Sequence, residues 1–259
     1  METFTLTRRE MALFLRALSG TCQKSPLVVL QEAWIRAHRE DLEQGKSFDA
    51  LLSTLLPQVF EKLVKGQKPT GFSLRDIVSL GNLIEYTNFS VTSMQNWVKR
   101  DFKAYLGTPK AGKKYSLDQM VLLFMIEDLK SSLDFESIRQ LFEMLFHPLD
   151  GGSEPVIHPL QLYESYSALF EELDENNDQL LDVPIHDGSL RNHDAFIEQR
   201  IVQKTEHFVK SLEHLKPEER ETVRNVLIIA LISVQTAFFH SLSRRYWNAT
   251  LFLRHLRSL

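Results

Sequence analysis

A single cysteine, Cys22, stands among 259 residues, so no disulfide can form within the chain and the composition suits a reducing compartment. The opening residues METFTLTRREMALFL hold neither a basic segment leading into a secretory apolar run nor a cleavage-site pattern. A cytoplasmic protein is expected. Hydrophobic runs are short as well: residues 226–232 are continuously apolar, but Ser233, Gln235 and Thr236 interrupt them well before the ~20 residues a lipid span needs. The sequence therefore predicts no integral membrane association. With 43% hydrophobic and 25% charged residues and a formal net charge of −4, it reads as a soluble globular chain long enough to bury a core.

Chemistry-bearing patterns are equally scarce. His38, His158, His186, His193 and His240 are scattered, and no nucleophile, general base and orienting group share a recognisable spacing. The two His-Pro pairs of HPLDGGSEPVIHP lack nearby cysteine and a compact three-ligand spacing, so the segment reads as a connector rather than a zinc site. In DENNDQLLDVPIHD, Asp174, Asn176 and Asp178 imitate the first ligands of a calcium loop. Gln179 then stands where that loop bends at Gly, and Ile185 where it takes a bidentate Glu. GTPKAGKK at residues 107–114 resembles part of a nucleotide-binding loop, but Lys114 replaces the Ser/Thr that meets magnesium, and no buried strand precedes it. These exclusions predict a non-enzymatic protein without metal or cofactor.

What the chain does have is helical periodicity. Thr7 and Glu10 stand at capping-box spacing before Met11, Phe14, Leu15 and Leu18, with Gly20 to stop the helix. A second helix is expected over residues 26–43, with Leu27, Leu30, Trp34 and Ile35 inward, and a third over residues 48–63. GQKPTG at residues 66–71 is the clearest early linker. Apolar stripes at 3.6-residue spacing recur over residues 117–129, 135–146, 160–173 and 194–214, and again in a last helix starting near Pro217. The reading is a mostly α protein: an N-terminal helical region at 1–70, a central region at 71–147, and a C-terminal helical region at 148–259 for dimerisation or an effector.

The central region organises the rest. Residues 73–86 carry Leu74, Ile77, Val78, Leu80 and Ile84 as a supporting helix would, and Thr87, Asn88, Phe89 and Ser90 form a short connection. Ser90 or Thr92 then caps a helix running to Arg100 that turns Met94, Trp97 and Val98 inward. Its remaining surface is left to Thr92, Ser93, Gln95, Asn96, Lys99 and Arg100. The following loop has Gly107, Pro109 and Gly112 for turning and Lys110, Lys113 and Lys114 for phosphate contact, with short strands expected beside it. Between Thr92 and Lys114 six positive residues face one acid, Asp101, so this patch can hold a duplex although the whole chain is acidic.

On these residues, NFSVTSMQNWVKR…KAGKKYSLDQMVLLFMIEDLKSSLDFESIRQLFEM resembles the DNA-binding head of the MerR family of bacterial transcriptional regulators, over residues 73–145. The chain is also similar to an uncharacterised bacterial family, a domain of unknown function, that shares such a head. The resemblance implies a winged helix-turn-helix whose second helix enters the major groove, whose wing meets the backbone, and whose dimer reads a two-fold operator. It matches Ser93 to the small hydroxyl residue of the reading helix, Trp97 to its buried aromatic, and Tyr115 and Ser116 to the tyrosine and cap after the wing. Gln95 and Asn96 stand where that family usually has arginine and tyrosine, and residues 101–106 replace its usual Gly-Leu.

The expected function is sequence-preferring duplex DNA binding for transcriptional regulation. Ser93, Gln95 and Asn96 are the base-edge candidates, and Thr92, Lys99, Arg100, Lys110, Lys113 and Lys114 the backbone candidates. A homodimer is expected through the apolar C-terminal helices, with no effector identified. The alternative is a non-catalytic interaction or scaffold protein retaining the same fold.

Overall fold

Helix Leu117–Leu129 is apolar on every side, and every residue from Gln119 to Leu129 is buried. A helix of that kind has to be surrounded. In the computed structural model, which describes residues 4–47, 51, 57–65, 67, 69–110, 112–146, 154–174 and 193–256, it is the central strut. The elements are α1 (Arg8–Ser19), α2 (Pro26–Ala37), α3 (Arg39–Glu43), α4 (Gln58–Val64), α5 (Leu74–Gly81), α6 (Val91–Asn96), a π turn (Trp97–Asp101) and α7 (Lys103–Leu106). Then follow α8 (Leu117–Leu129), α9 (Phe135–Phe146), α10 (Pro159–Leu173), α11 (His193–Lys210) and α12 (Pro217–Leu256). Helices α10 and α12 lie against α8, α1 packs on α10 and α2, and α11 runs along α12.

The mostly helical architecture is as expected. Among the described residues there are no strands, only the isolated bridges Leu6–Ile84 and Phe72–Tyr115. The strands expected beside the lysine loop are thus reduced to one bridge, in which Phe72 and Tyr115 exchange both backbone N–H···O bonds at 2.9 and 2.8 Å.

Caps written in the sequence are made. Thr7 and Glu10 close a capping box on α1, and Gly20 ends that helix at φ 79°. Ser116 and Gln119 close another on α8, and the Asp134 carboxylate accepts the Ser137 N–H at the start of α9. Two expectations change. The helix expected over residues 26–43 is broken at His38, and Ile35 faces outward while Val29, Leu30 and Ala33 bury. The ring of His38 stacks on Trp34 at 4.6 Å. Of the helix expected over residues 48–63, Leu51 is helical and exposed, and α4 starts directly after Pro57. The linker at 66–71, the His-Pro connector and the calcium-like loop fall wholly or partly outside the described residues.

Helix α12 continues through Ser233, Gln235 and Thr236, which its backbone accommodates without a break. By length and composition it is apolar enough to cross a membrane, contrary to the reading of residues 226–232 as too short. Its face Val223, Leu227, Leu231 and Val234 is packed into the core, a use that gives a core helix the same composition.

Candidate nucleic-acid interface

Helix α5 starts where Ser73 and Asp76 satisfy each other: the Ser73 N–H donates to Asp76 Oδ2 at 2.9 Å and the Asp76 N–H to Ser73 Oγ at 3.2 Å. It buries Ile77 and Leu80 and ends at Gly81, against which the Phe89 ring packs so closely that a Cβ there would lie 2.5 Å from it. The connection to α6 is held by side chains. Asn82 donates to the Phe89 carbonyl at 3.1 Å and accepts the Phe89 N–H at 2.8 Å, closing the turn as a backbone pair would. The Thr87 hydroxyl lies 2.7 Å from the Gly81 carbonyl, and the Asn88 N–H donates to Glu127 of α8 at 3.1 Å. Within it Tyr86 adopts a left-handed φ of 64°.

Ser90 caps α6 by accepting the Ser93 N–H at 3.1 Å. Met94, Trp97 and Val98 turn inward as expected. The α-helix stops at Asn96, however, and the expected continuation to Arg100 is a π turn in which the Phe102 N–H reaches the Trp97 carbonyl at 2.9 Å. The physical reason lies in the aromatic packing: the wider turn lets both Trp97 and Phe102 meet Phe135, at 6.2 and 5.2 Å between ring centroids. Lys130, one residue past α8, lies over the Trp97 ring at 5.4 Å.

This frame leaves Thr92, Gln95, Asn96, Lys99 and Arg100 exposed. Thr92, Gln95 and Asn96 recur at helical spacing and share one surface, and Lys99 is exposed in the π turn that follows. Ser93 is half-buried and its hydroxyl lies 2.9 Å from that of Ser90, so part of its hydrogen-bonding capacity is used inside the turn. Arg100 is the other exception, because its Nε donates to Asp101 at 2.7 Å.

The basic loop is tied to the opposite end of α8. Buried Gln119 donates to the Leu106 and Thr108 carbonyls, both at 2.6 Å, and its oxygen accepts the Ser116 N–H at 2.8 Å. Gly107 and Gly112 supply positive φ on either side of the turn, and Lys110, Lys113 and Lys114 stand exposed. One helix therefore carries the exposed face of α6 near its C-terminal end and the basic loop near its N-terminal end, with the Gln119 and Lys130 anchors roughly 16 Å apart at α-helical rise.

At the C-terminal end of α8 lies a buried polar cluster that periodicity did not reveal. Arg8 donates to Asp128 Oδ1 through Nε and a terminal nitrogen at 3.0 and 2.9 Å, and the Tyr166 hydroxyl donates to Oδ2 at 2.8 Å. Burial opposes charge on Arg8, but the adjacent Asp128 outweighs it and holds the guanidinium more firmly protonated. Burial pushes the Tyr163 and Tyr166 phenols well up, and raises Glu127 against the opposing pull of Lys130. A signal was present: a helix buried all round yet ending in Glu127 and Asp128 has to provide those carboxylates with partners. Among the described residues no three His, Cys, Asp or Glu side chains converge to hold a metal ion.

Over 240 residues the chain is 32% identical to the uncharacterized protein YkrK of Bacillus subtilis (strain 168), covering 93% of this chain and 94% of that relative. Residues 74–166 match the profile of a family described as a domain of unknown function (DUF1836). The chain belongs to this family. The family segment runs from α5 to Tyr166, taking in the exposed face of α6, the lysine loop, α8 and two of the three residues of the Asp128 cluster. No solved structure matches the chain.

Proposed function

We propose that the protein is a non-catalytic, sequence-preferring duplex DNA-binding regulator whose central region works as a winged helix-turn-helix. The carrying observation is the exposed row Thr92, Gln95 and Asn96 on a capped helix whose inner face is packed, with Lys99 exposed in the π turn that follows. Gln95 and Asn96 each present a donor and an acceptor from one amide, the pattern that reads adenine in the major groove. Lys110, Lys113 and Lys114 on the second anchored loop supply backbone contact, in a chain whose other surfaces are on balance acidic. Base reading falls mainly to Gln95 and Asn96, because Ser93 is partly engaged with Ser90, and Arg100 serves the backbone only by leaving Asp101.

Selection from random duplexes, followed by binding measurements at low salt, tests this reading whatever the target site is. Enrichment of a defined sequence whose binding weakens steeply with salt is the expected result. A folded protein that enriches no sequence and binds no duplex at low salt would overturn it in favour of an interaction protein on the same fold.

A further inference from the structure

The distal half of α12 leaves the core behind. Up to Val234 the helix buries one face, whereas from Phe239 onward large apolar side chains stand in solvent. Among the exposed apolar residues of the helix, four recur at intervals of seven: Ile232, 46% exposed, Phe239, 49%, Tyr246, 71%, and Leu253, 54%; Trp247 and Phe252 stand exposed next to them. Leu242 and Ala249 fall between them at the intervening heptad positions. A stripe repeating every seven residues is the seam of a two-stranded coiled coil rather than the broader stripe of a helix lying on a globular core.

We propose that this stripe pairs with a second copy of the chain, the two α12 helices running antiparallel over residues 239–256. The sense follows from size. An antiparallel pair centred between positions 247 and 248 sets Tyr246 against the partner's Ala249, so the bulkiest side chain meets the smallest, and Leu242 against the partner's Leu253. A parallel pair would stack tyrosine on tyrosine and alanine on alanine, alternately overfilling and emptying the seam.

The seam is about 27 Å long at helical rise. Phe239, Tyr246 and Leu253 from both copies, with the smaller residues between them, bury on the order of 1,000 Å², the threshold for a specific interface. Phe238 braces the root of the seam, its ring 5.0 Å from Tyr86 and 5.3 Å from Phe239. The pair is thereby joined to the left-handed turn that leads into α6.

Light scattering on the full chain without DNA, across protein concentration, is expected to give twice the chain mass. Tyr246→Glu, at an exposed position, should keep the circular dichroism of the parent and raise the dimer dissociation constant by at least about ten-fold. Trp247→Glu, also at an exposed position but off the stripe, should leave the mass unchanged. In a Cys22→Ser background a short bismaleimide should join copies through Ala249→Cys but not through Leu253→Cys, whose copies lie roughly 16 Å apart along the antiparallel axis. A monomer at all concentrations, equal loss with Tyr246→Glu and Trp247→Glu, or efficient joining through Leu253→Cys would overturn the proposal. A monomer that sediments with phosphatidylserine vesicles would likewise overturn it and assign the stripe to a lipid surface. Because these readouts involve no duplex, failure of the pairing and failure of DNA recognition are separate results.

Discussion

Gly81 illustrates how one residue controls the approach to α6. An added Cβ would meet Phe89 Cδ2 and Cε2 at 2.5 Å, and that ring is already wedged edge-on against Phe124 at 5.5 Å. Gly81→Ala should therefore destabilise by about 1–3 kcal/mol, the usual cost of overpacking, seen as a lower urea midpoint. An unchanged midpoint would mean the turn yields freely. Glu85, four residues on, carries the opposite problem. Burial raises its carboxyl above the ordinary range despite the pull of Arg36 and Arg8. The folded chain then holds this proton more tightly than the unfolded one, so stability falls as pH rises from the unfolded value through the folded one. Glu85→Gln should accordingly be more stable than the parent at pH 7, with the advantage vanishing below about pH 4. Denaturant midpoints across pH check this, and equal stability at pH 7 would contradict it.

At the scale of elements, α6 and the lysine loop make separable predictions. Gln95→Ala should cost about 1–3 kcal/mol on the preferred duplex and little on unrelated DNA if the amide reads a base. Replacing Lys113 and Lys114 together should weaken both duplexes alike and flatten the salt dependence by roughly 0.9 in slope per lost phosphate contact. Binding isotherms on matched and scrambled duplexes at several salt concentrations distinguish the two patterns. The inward face of α6 was legible because Met94, Trp97 and Val98 keep helical spacing. Its π ending was not, since it depends on Phe135, more than thirty residues away in the chain. The loop was legible from its glycines and lysines, whereas its tether, Gln119, looked like one more polar residue in the first turn of α8.

For the whole molecule, the Arg8–Asp128 pair joins the first helix to the central strut across 120 residues of sequence. Arg8→Met should destabilise by about 3–5 kcal/mol, because it strands a buried carboxylate. Arg8→Met combined with Asp128→Leu should recover most of that loss, since a buried pair replaced by apolar groups of similar size is often nearly neutral. Urea unfolding of the parent, both single variants and the double variant completes the cycle, and a double variant no more stable than Arg8→Met would contradict it.

Local rules, acting over a few residues, determined the helical class, the caps at Thr7, Ser73, Ser90 and Ser116, and the face of each amphipathic helix. Those rules depend on spacing and on backbone groups within one turn, which the sequence displays directly. Tertiary structure alone decided that Arg8 is buried against Asp128, that Ile35 faces out, and that α12 sheds its core halfway along and leaves its distal apolar residues exposed. Each of these depends on which surface another part of the chain covers. Charge in a low-dielectric interior and apolar area in water acquire their energies only once that cover is in place.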